Sequence, residues 1–292
     1  MRRRMLVAAG LAMLLCVAAA AQMPDGYLDV GIARVKPDKR TEFDAISKKA
    51  AEANRKNHGD TWIAMETTYG EGNVVTFVST RSSYADVEKG GDAFMGALNK
   101  AYGPGAADKW FQEFSNTIVS FRSEFRHRRW DLSANAPADP TAYVKLVGEA
   151  RWLRTARIRV KPGRTLDYEA QLLAIKAAFE RASEKPVTLV SQGVAGQEGV
   201  VYYISWLKTS LGGFDGGPQL RQLLGEDAFQ SYLKAVEVDV QGSETTIYRF
   251  LPEISNPPAE VAAVSPDFWT PKPKAAPKPK PKSEAAKPEV KQ

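Results

Sequence analysis

Side chains that could carry acid–base, nucleophilic or metal chemistry are scarce in this chain of 292 residues, which has two histidines and one cysteine. His58 stands in KNHGD, where an expected helix ends. A polar cation there satisfies the helix dipole and Gly59 stops the helix, so capping outweighs catalysis. His127 is the one catalytic candidate. It falls in strand phase with Phe121 and Phe125, and an inward imidazole beside a cavity could act as a base or hold a haem iron. The plainer reading is a hydrogen-bonded histidine at the edge of the core. HExxH, GxSxG, Walker and EF-hand patterns are missing, and GGFDGG at 212–217 lacks the following Lys-Ser/Thr of a phosphate loop. No metal site is expected.

Arginine offers a second chemistry. Strand alternation puts Arg122, Arg126 and Arg128 on one face, interrupted by Glu124, with Arg34 on a neighbouring strand and Arg157 and Arg159 at corresponding places farther on. Two outcomes are open. If these faces meet, guanidinium groups converge and need carboxylates, water or a bound anion. If they do not, the charges mark a solvated edge strand and block edge-to-edge pairing. The candidate binding residues are Arg34, Arg126, Arg157, Arg159 and Arg249, with Tyr203 and Trp206. Those two aromatics, with Trp62, Trp110, Trp152 and Tyr202, could line an apolar pocket between helices and sheet. Trp110 keeps helical spacing with Phe114 and Ile118 and reads equally as core.

The elements that must position these residues occur twice. ARVKPDKRTEFDA from Ala33 matches IRVKPGRTLDYEA from Ile158, and GEGNVVTFVS from Gly70 matches GQEGVVYYIS from Gly196. On this repeat Arg249 stands where His127 stands. In each half a strand stops at a proline and a helix follows, with Phe43, Ile46, Ala50 and Ala53 on one face in the first copy. A hairpin, a broken helical region and a last strand complete βαββαβ. That order predicts an α+β protein of two tandem ferredoxin-like domains. VVYYISWL is apolar on both faces and wants cover on both, which predicts an intramolecular pseudo-dimer of the two halves. The expected boundaries are 22–130 and 143–256 for the two domains, 131–142 for a linker and 257–292 for a disordered Pro/Lys/Ala-rich tail.

The net charge of +6 is a sum of unlike parts. Residues 1–21 carry +3 and residues 271–292 carry +5, leaving −2 on the body between. Nucleic-acid binders place basic charge on the folded domain, so a nucleic-acid partner is not expected. MRRR followed by an uncharged apolar run ending at Ala21 reads as a signal peptide over 1–21. Cleavage there predicts a periplasmic or secreted protein with no transmembrane span and no Cys16 in its mature form. The Pro-Lys tail reads as extended, and either solubilises the protein or tethers it to an anionic envelope surface.

A strand ending in V-K-P-[DG]-[KR], then a helix with an aromatic residue near its first turn, resembles the dimeric α+β barrel superfamily. That superfamily includes antibiotic-biosynthesis-monooxygenase-like and NIPSNAP-like domains. The match rests on Val35, Lys36, Pro37, Asp38, Lys39 and Phe43, and again on Val160, Lys161, Pro162, Gly163, Arg164 and Tyr168. The resemblance implies a fold shared by cofactor-free oxygenases, haem enzymes, isomerases and plain binding modules, and fold alone does not choose among them. Because catalytic residue types are few, the expected function is that of an exported, non-catalytic protein binding a small or anionic ligand or a partner, without a cofactor. The alternative is a cofactor-free oxygenase or a haem-dependent enzyme of the monooxygenase-like type.

Overall fold

The computed structural model describes residues 23–217 and 219–270. The expected signal peptide and the Pro-Lys part of the tail lie outside the described residues. Eight antiparallel strands close into a barrel in the order β1-β3-β2-β8-β5-β7-β6-β4. β1 (Tyr27–Val35), β2 (Ile63–Tyr69), β3 (Val74–Arg81) and β4 (Ile118–Arg128) come from the first half of the chain. β5 (Trp152–Val160), β6 (Leu189–Ala195), β7 (Val200–Lys208) and β8 (Val240–Phe250) come from the second. The seams are β2 against β8 and β4 against β6. β4 therefore has β1 on one side and β6 on the other. The solvated-edge reading of its arginines is corrected: a closed barrel has no edge there.

Alternation along each strand sends one set of side chains into the lumen and the other towards helices outside. α1 (Arg40–Asn57) follows β1 after Pro37 and lays Phe43, Ile46 and Ala51 on Ala33, Val35 and Val75. It ends at His58, whose φ of 54° is the left-handed conformation of a helix C-cap; His58, rather than the expected Gly59, makes the left-handed turn. α2 (Tyr84–Tyr102) and α3 (Ala106–Thr117) complete the outer layer, Phe94 and Phe114 joining the same core. In the second half α5 (Thr165–Arg181) packs Tyr168 and Leu172 on Val190 and Tyr202. The short α6 (Leu220–Leu224) and α7 (Glu226–Asp239) then lead into β8.

One end of the barrel is plugged. α4 (Pro140–Glu149), α8 (Ala259–Val264) and α9 (Pro266–Trp269) bring Val147, Val261 and Trp269 onto Met65 and Phe250. Trp269 is completely buried and donates its indole N–H to the Gly148 carbonyl at 2.9 Å. Gly148 is required for this approach, because a Cβ there would lie 2.5 Å from Val264. Two boundary expectations are corrected here. The stretch from 257 to 270 is ordered, because its apolar residues seal the barrel. In the expected linker, Leu132, Ser133 and Ala134 are buried, and Ala134 bridges to Thr188.

Candidate functional site

Between the first-half strands and α1–α3 lies a cavity of about 630 Å³. Its walls are aromatic: Trp62 and Phe77 from the sheet side, Phe94 from α2, Trp110, Phe111 and Phe114 from α3, and Phe121 from β4. Trp110 stacks on Phe114 with centroids 4.9 Å apart, and Phe94 meets Trp110 edge-on at 5.1 Å. Gly31 keeps the floor open, since a Cβ there would meet the Phe121 ring at 2.7 Å.

The polar end is built from strand residues that alternation turns towards the helices. Arg81, at the end of β3, is buried and holds Asp60 through both guanidinium nitrogens at 2.6 and 2.7 Å. It also donates to Asp29 Oδ2 at 3.3 Å from two nitrogens, leaving Asp29 Oδ1 without a side-chain partner among the described residues. The Asp60 hydrogen bond, opposed by burial and aided by both carboxylate charges, raises the Arg81 pKa above the usual guanidinium range. Gly90 lets α2 close over this group, because a Cβ there would lie 2.6 Å from the guanidinium carbon. Ser47, on α1, is buried with an Oγ that has no hydrogen-bond partner, and it lines the same cavity. The lining is thus mostly aromatic, with an acceptor carboxylate and serine hydroxyls among its polar groups.

The strand register places a different set in the second half. Asp29 stands across from Ser79, and Arg154 stands across from Trp206. Arg154 lies 4.4 Å over the Trp206 ring and 5.5 Å from Phe214, in a smaller cavity of about 390 Å³. Burial lowers its pKa, and it forms no ion pair among the described residues.

The lumen holds a third site. Glu124 is completely buried, taking Arg126 at 2.6 Å, the Tyr203 hydroxyl at 2.7 Å and Arg122 at 3.2 Å. Burial alone would raise this carboxyl, but Arg126, Tyr203 and Arg122 outweigh it and hold it below the usual range. Arg126 also stacks on Tyr203, 3.5 Å from its centroid.

Of the residues singled out from sequence, Arg126, Arg157 and Tyr203 meet in the lumen. Arg34 pairs with Glu71 at the open mouth, and Arg159 has a buried Nε without an acceptor. Arg249 faces outward onto Glu66, and Trp206 lies beneath Arg154. His127 lines no described cavity. Its Nε2 meets Asp25 at 2.6 Å beside Tyr27. Sequence reasoning missed Asp29, Asp60 and Arg81. A signal was present for the first: Asp29 shares strand phase with the buried Ala33 and Val35.

Haem does not fit these residues. The cavity walls carry no imidazole or thiolate, and Met95 is the sole wall residue with a thioether. No group of three His, Cys, Asp or Glu side chains able to hold a metal ion occurs among the described residues. Among them, also, no helix is long and apolar enough to cross a membrane.

No family model matches the sequence, and no curated protein matches it. Solved structures share its general build at low identity. An anthrone oxidase-like protein is 13% identical with a TM-score of 0.48, over 77% of this chain and 91% of that one. A mutant chlorite dismutase from Candidatus Nitrospira defluvii is 10% identical with a TM-score of 0.44, over 82% and 95%. A heme-binding protein from Thermus thermophilus is 7% identical with a TM-score of 0.42, over 79% and 93%. The expectation of a non-catalytic binding protein is corrected at this point, since what the fold resembles is named for oxidase, dismutase and haem proteins. These likenesses assign no residue roles.

Proposed function

We propose that this chain is a cofactor-independent oxidase or oxygenase acting on an electron-rich phenol or quinol bound in the helix–sheet cavity of its first half. The observation that carries this is the aromatic cavity of about 630 Å³ with the Asp29 carboxylate at its polar end. Asp29 Oδ1 takes the substrate's hydroxyl proton, while Arg81 and Asp60 fix the carboxylate in place. The resulting aromatic anion is the reductant and dioxygen the oxidant. A quinol gives up two electrons and two protons and becomes a quinone, and dioxygen becomes hydrogen peroxide. The rings exclude water from the anion and stack on the substrate.

Oxygen uptake with alkyl-substituted quinols and naphthols tests the reading. It predicts saturable uptake above spontaneous autoxidation, and a hundredfold or greater loss in Asp29→Asn with the fold intact. Uptake equal to autoxidation across the panel would overturn it.

The two halves read as a duplicated ferredoxin-like unit fused into a pseudo-dimer of the dimeric α+β barrel kind. Supporting this are the repeated βαββαβ order and the antiparallel pairing of β1 with β3, repeated by β5 with β7. Export with cleavage near Ala21, and attachment to an anionic surface through the tail, rest on sequence composition. N-terminal sequencing of the mature protein checks the first.

A further inference from the structure

We propose that the barrel lumen is a binding site for a small oxyanion, separate from the aromatic cavity. The lumen holds a cavity of about 190 Å³, room for several waters or one small ligand. It is closed at one end by the apolar plug and open at the other, where Arg122, Glu71 and Arg34 have side chains more than half exposed. A ligand therefore enters past arginines and stops against Met65, Leu153 and Val78.

The charges inside are unevenly paired. Glu124 is the one fully buried acid of the lumen, and Arg126 and Arg122 already share it. Glu71 is taken by Arg34, and Glu244 lies at the exposed mouth. Arg157, beside the Tyr203 hydroxyl, is left without a carboxylate. It stands on β5 between Tyr203 and Glu244, lines the cavity, and forms no ion pair within 4.0 Å among the described residues. Its Nε is buried with no acceptor, as is that of Arg159 one pleat nearer the mouth. Arg126 spends Nε and Nη2 on Glu124 and keeps Nη1 without a bond. Buried guanidinium donors without acceptors are costly. An oxyanion bridging Arg157, Arg126 and Arg122 would supply acceptors to all three, and the planar fork of arginine suits a carboxylate or phosphate. Thr76, Thr155 and Thr246 place hydroxyls on the same walls. The volume limits the ligand to phosphate or a short mono- or dicarboxylate.

The experiment uses the intact protein, titrated with phosphate, malonate and acetate against chloride at matched ionic strength, by calorimetry and thermal unfolding. A saturable one-to-one site is expected, with Tm raised by roughly 5–10 °C at a hundredfold excess over Kd. Tighter phosphate or tighter malonate each supports the site and identifies its ligand class. Arg157→Met should weaken binding at least tenfold, and Arg249→Met, on the outer surface, should keep it. Should Arg157→Met fail to fold, Arg157→Lys retains the charge but loses the fork, and weaker binding is expected there too. If no oxyanion outdoes chloride, water alone satisfies the lumen and the proposal falls. Unchanged affinity in the folded Arg157 variant overturns it as well.

Discussion

Two helix–sheet layers of one build end in opposite chemistry. In the first half Asp29 faces Ser79 and Gly31 faces Phe77; in the second Arg154 faces Trp206 and Ala156 faces Ile204. Small residues under α2 and α3 leave an open, aromatic and acidic-ended cavity. In the second half an indole occupies the position of the serine, and the charge is inverted. The lesson is that backbone register fixes where a cavity can be, and side-chain volume at two facing strand positions decides whether it exists. The unlike charges also differ in support: Asp29 is held by Arg81, whereas Arg154 has only ring faces above and below.

The largest effect should come from the acid of the first cavity. Asp29→Asn keeps size and the bond to Arg81 but removes the base, so kcat/KM for quinol oxidation should fall about 10²–10⁴-fold. Arg154→Gln, at the corresponding place in the second half, should leave it within twofold. Equal losses in steady-state oxygen uptake would erase the contrast between the two cavities.

Next in size is Glu124, which joins the halves inside the lumen through Arg126 on its own strand and Tyr203 on β7, two strands away. Glu124→Gln leaves two guanidinium groups without their anion, and should cost about 3 kcal/mol at neutral pH. The acid is depressed in the folded state. Its contribution is therefore present above the unfolded value of ~4.3 and is lost as pH falls through the lower folded value. Denaturant unfolding from pH 7 to pH 3 should show wild type and variant converging at the acid end. A constant gap would mean that packing, not charge, links the halves.

Much of the fold was legible because periodicity and breakers are local. The Val-Lys-Pro strand ends, the apolar stripe of α1 and the two-faced VVYYISWL specified helices, strands and a covered second sheet face. The aromatic cavity was half legible: Trp62 and Trp110 were named, but Phe77, Phe94 and Asp29 converge from three elements distant in sequence. The plug was misread because PPAEVAAVSPDFW runs straight into a Pro-Lys tract. Its composition resembles a linker, and only the exposed barrel end reveals what Val261 and Trp269 bury.

Exchanging the facing residues sharpens the comparison further. Ser79→Trp brings the second half's indole into the first cavity, and should raise KM at least tenfold while costing about 1–3 kcal/mol of stability through overpacking. Trp206→Ser does the reverse. It strips the ring beneath Arg154 and should destabilise by about 2 kcal/mol, less than a fully buried tryptophan would, because Trp206 is only partly buried. Urea unfolding and quinol kinetics on the same two proteins measure both effects. An unchanged KM in a folded Ser79→Trp protein would move the substrate out of the cavity.

The smallest effects should come from the strand ends where the halves correspond most plainly. His127 stands across from Tyr27 and Arg249 across from Trp152. Each is held on the surface by a carboxylate, His127 by Asp25 at 2.6 Å and Arg249 by Glu66 at 2.7 Å. Asp25 is 73% exposed and Arg249 57%, so solvent competes for both pairs and each is worth under ~1 kcal/mol. Glu66 keeps Arg40 at 2.8 Å when Arg249 is removed, which leaves no buried charge behind. His127→Gln and Arg249→Met should therefore shift the urea midpoint slightly, lose even that in high salt, and leave oxygen uptake unchanged. A tenfold fall in uptake for His127→Gln alone would transfer the chemistry from the Asp29 cavity to the rim of β4, and would turn the contrast between the halves into one between their last strands.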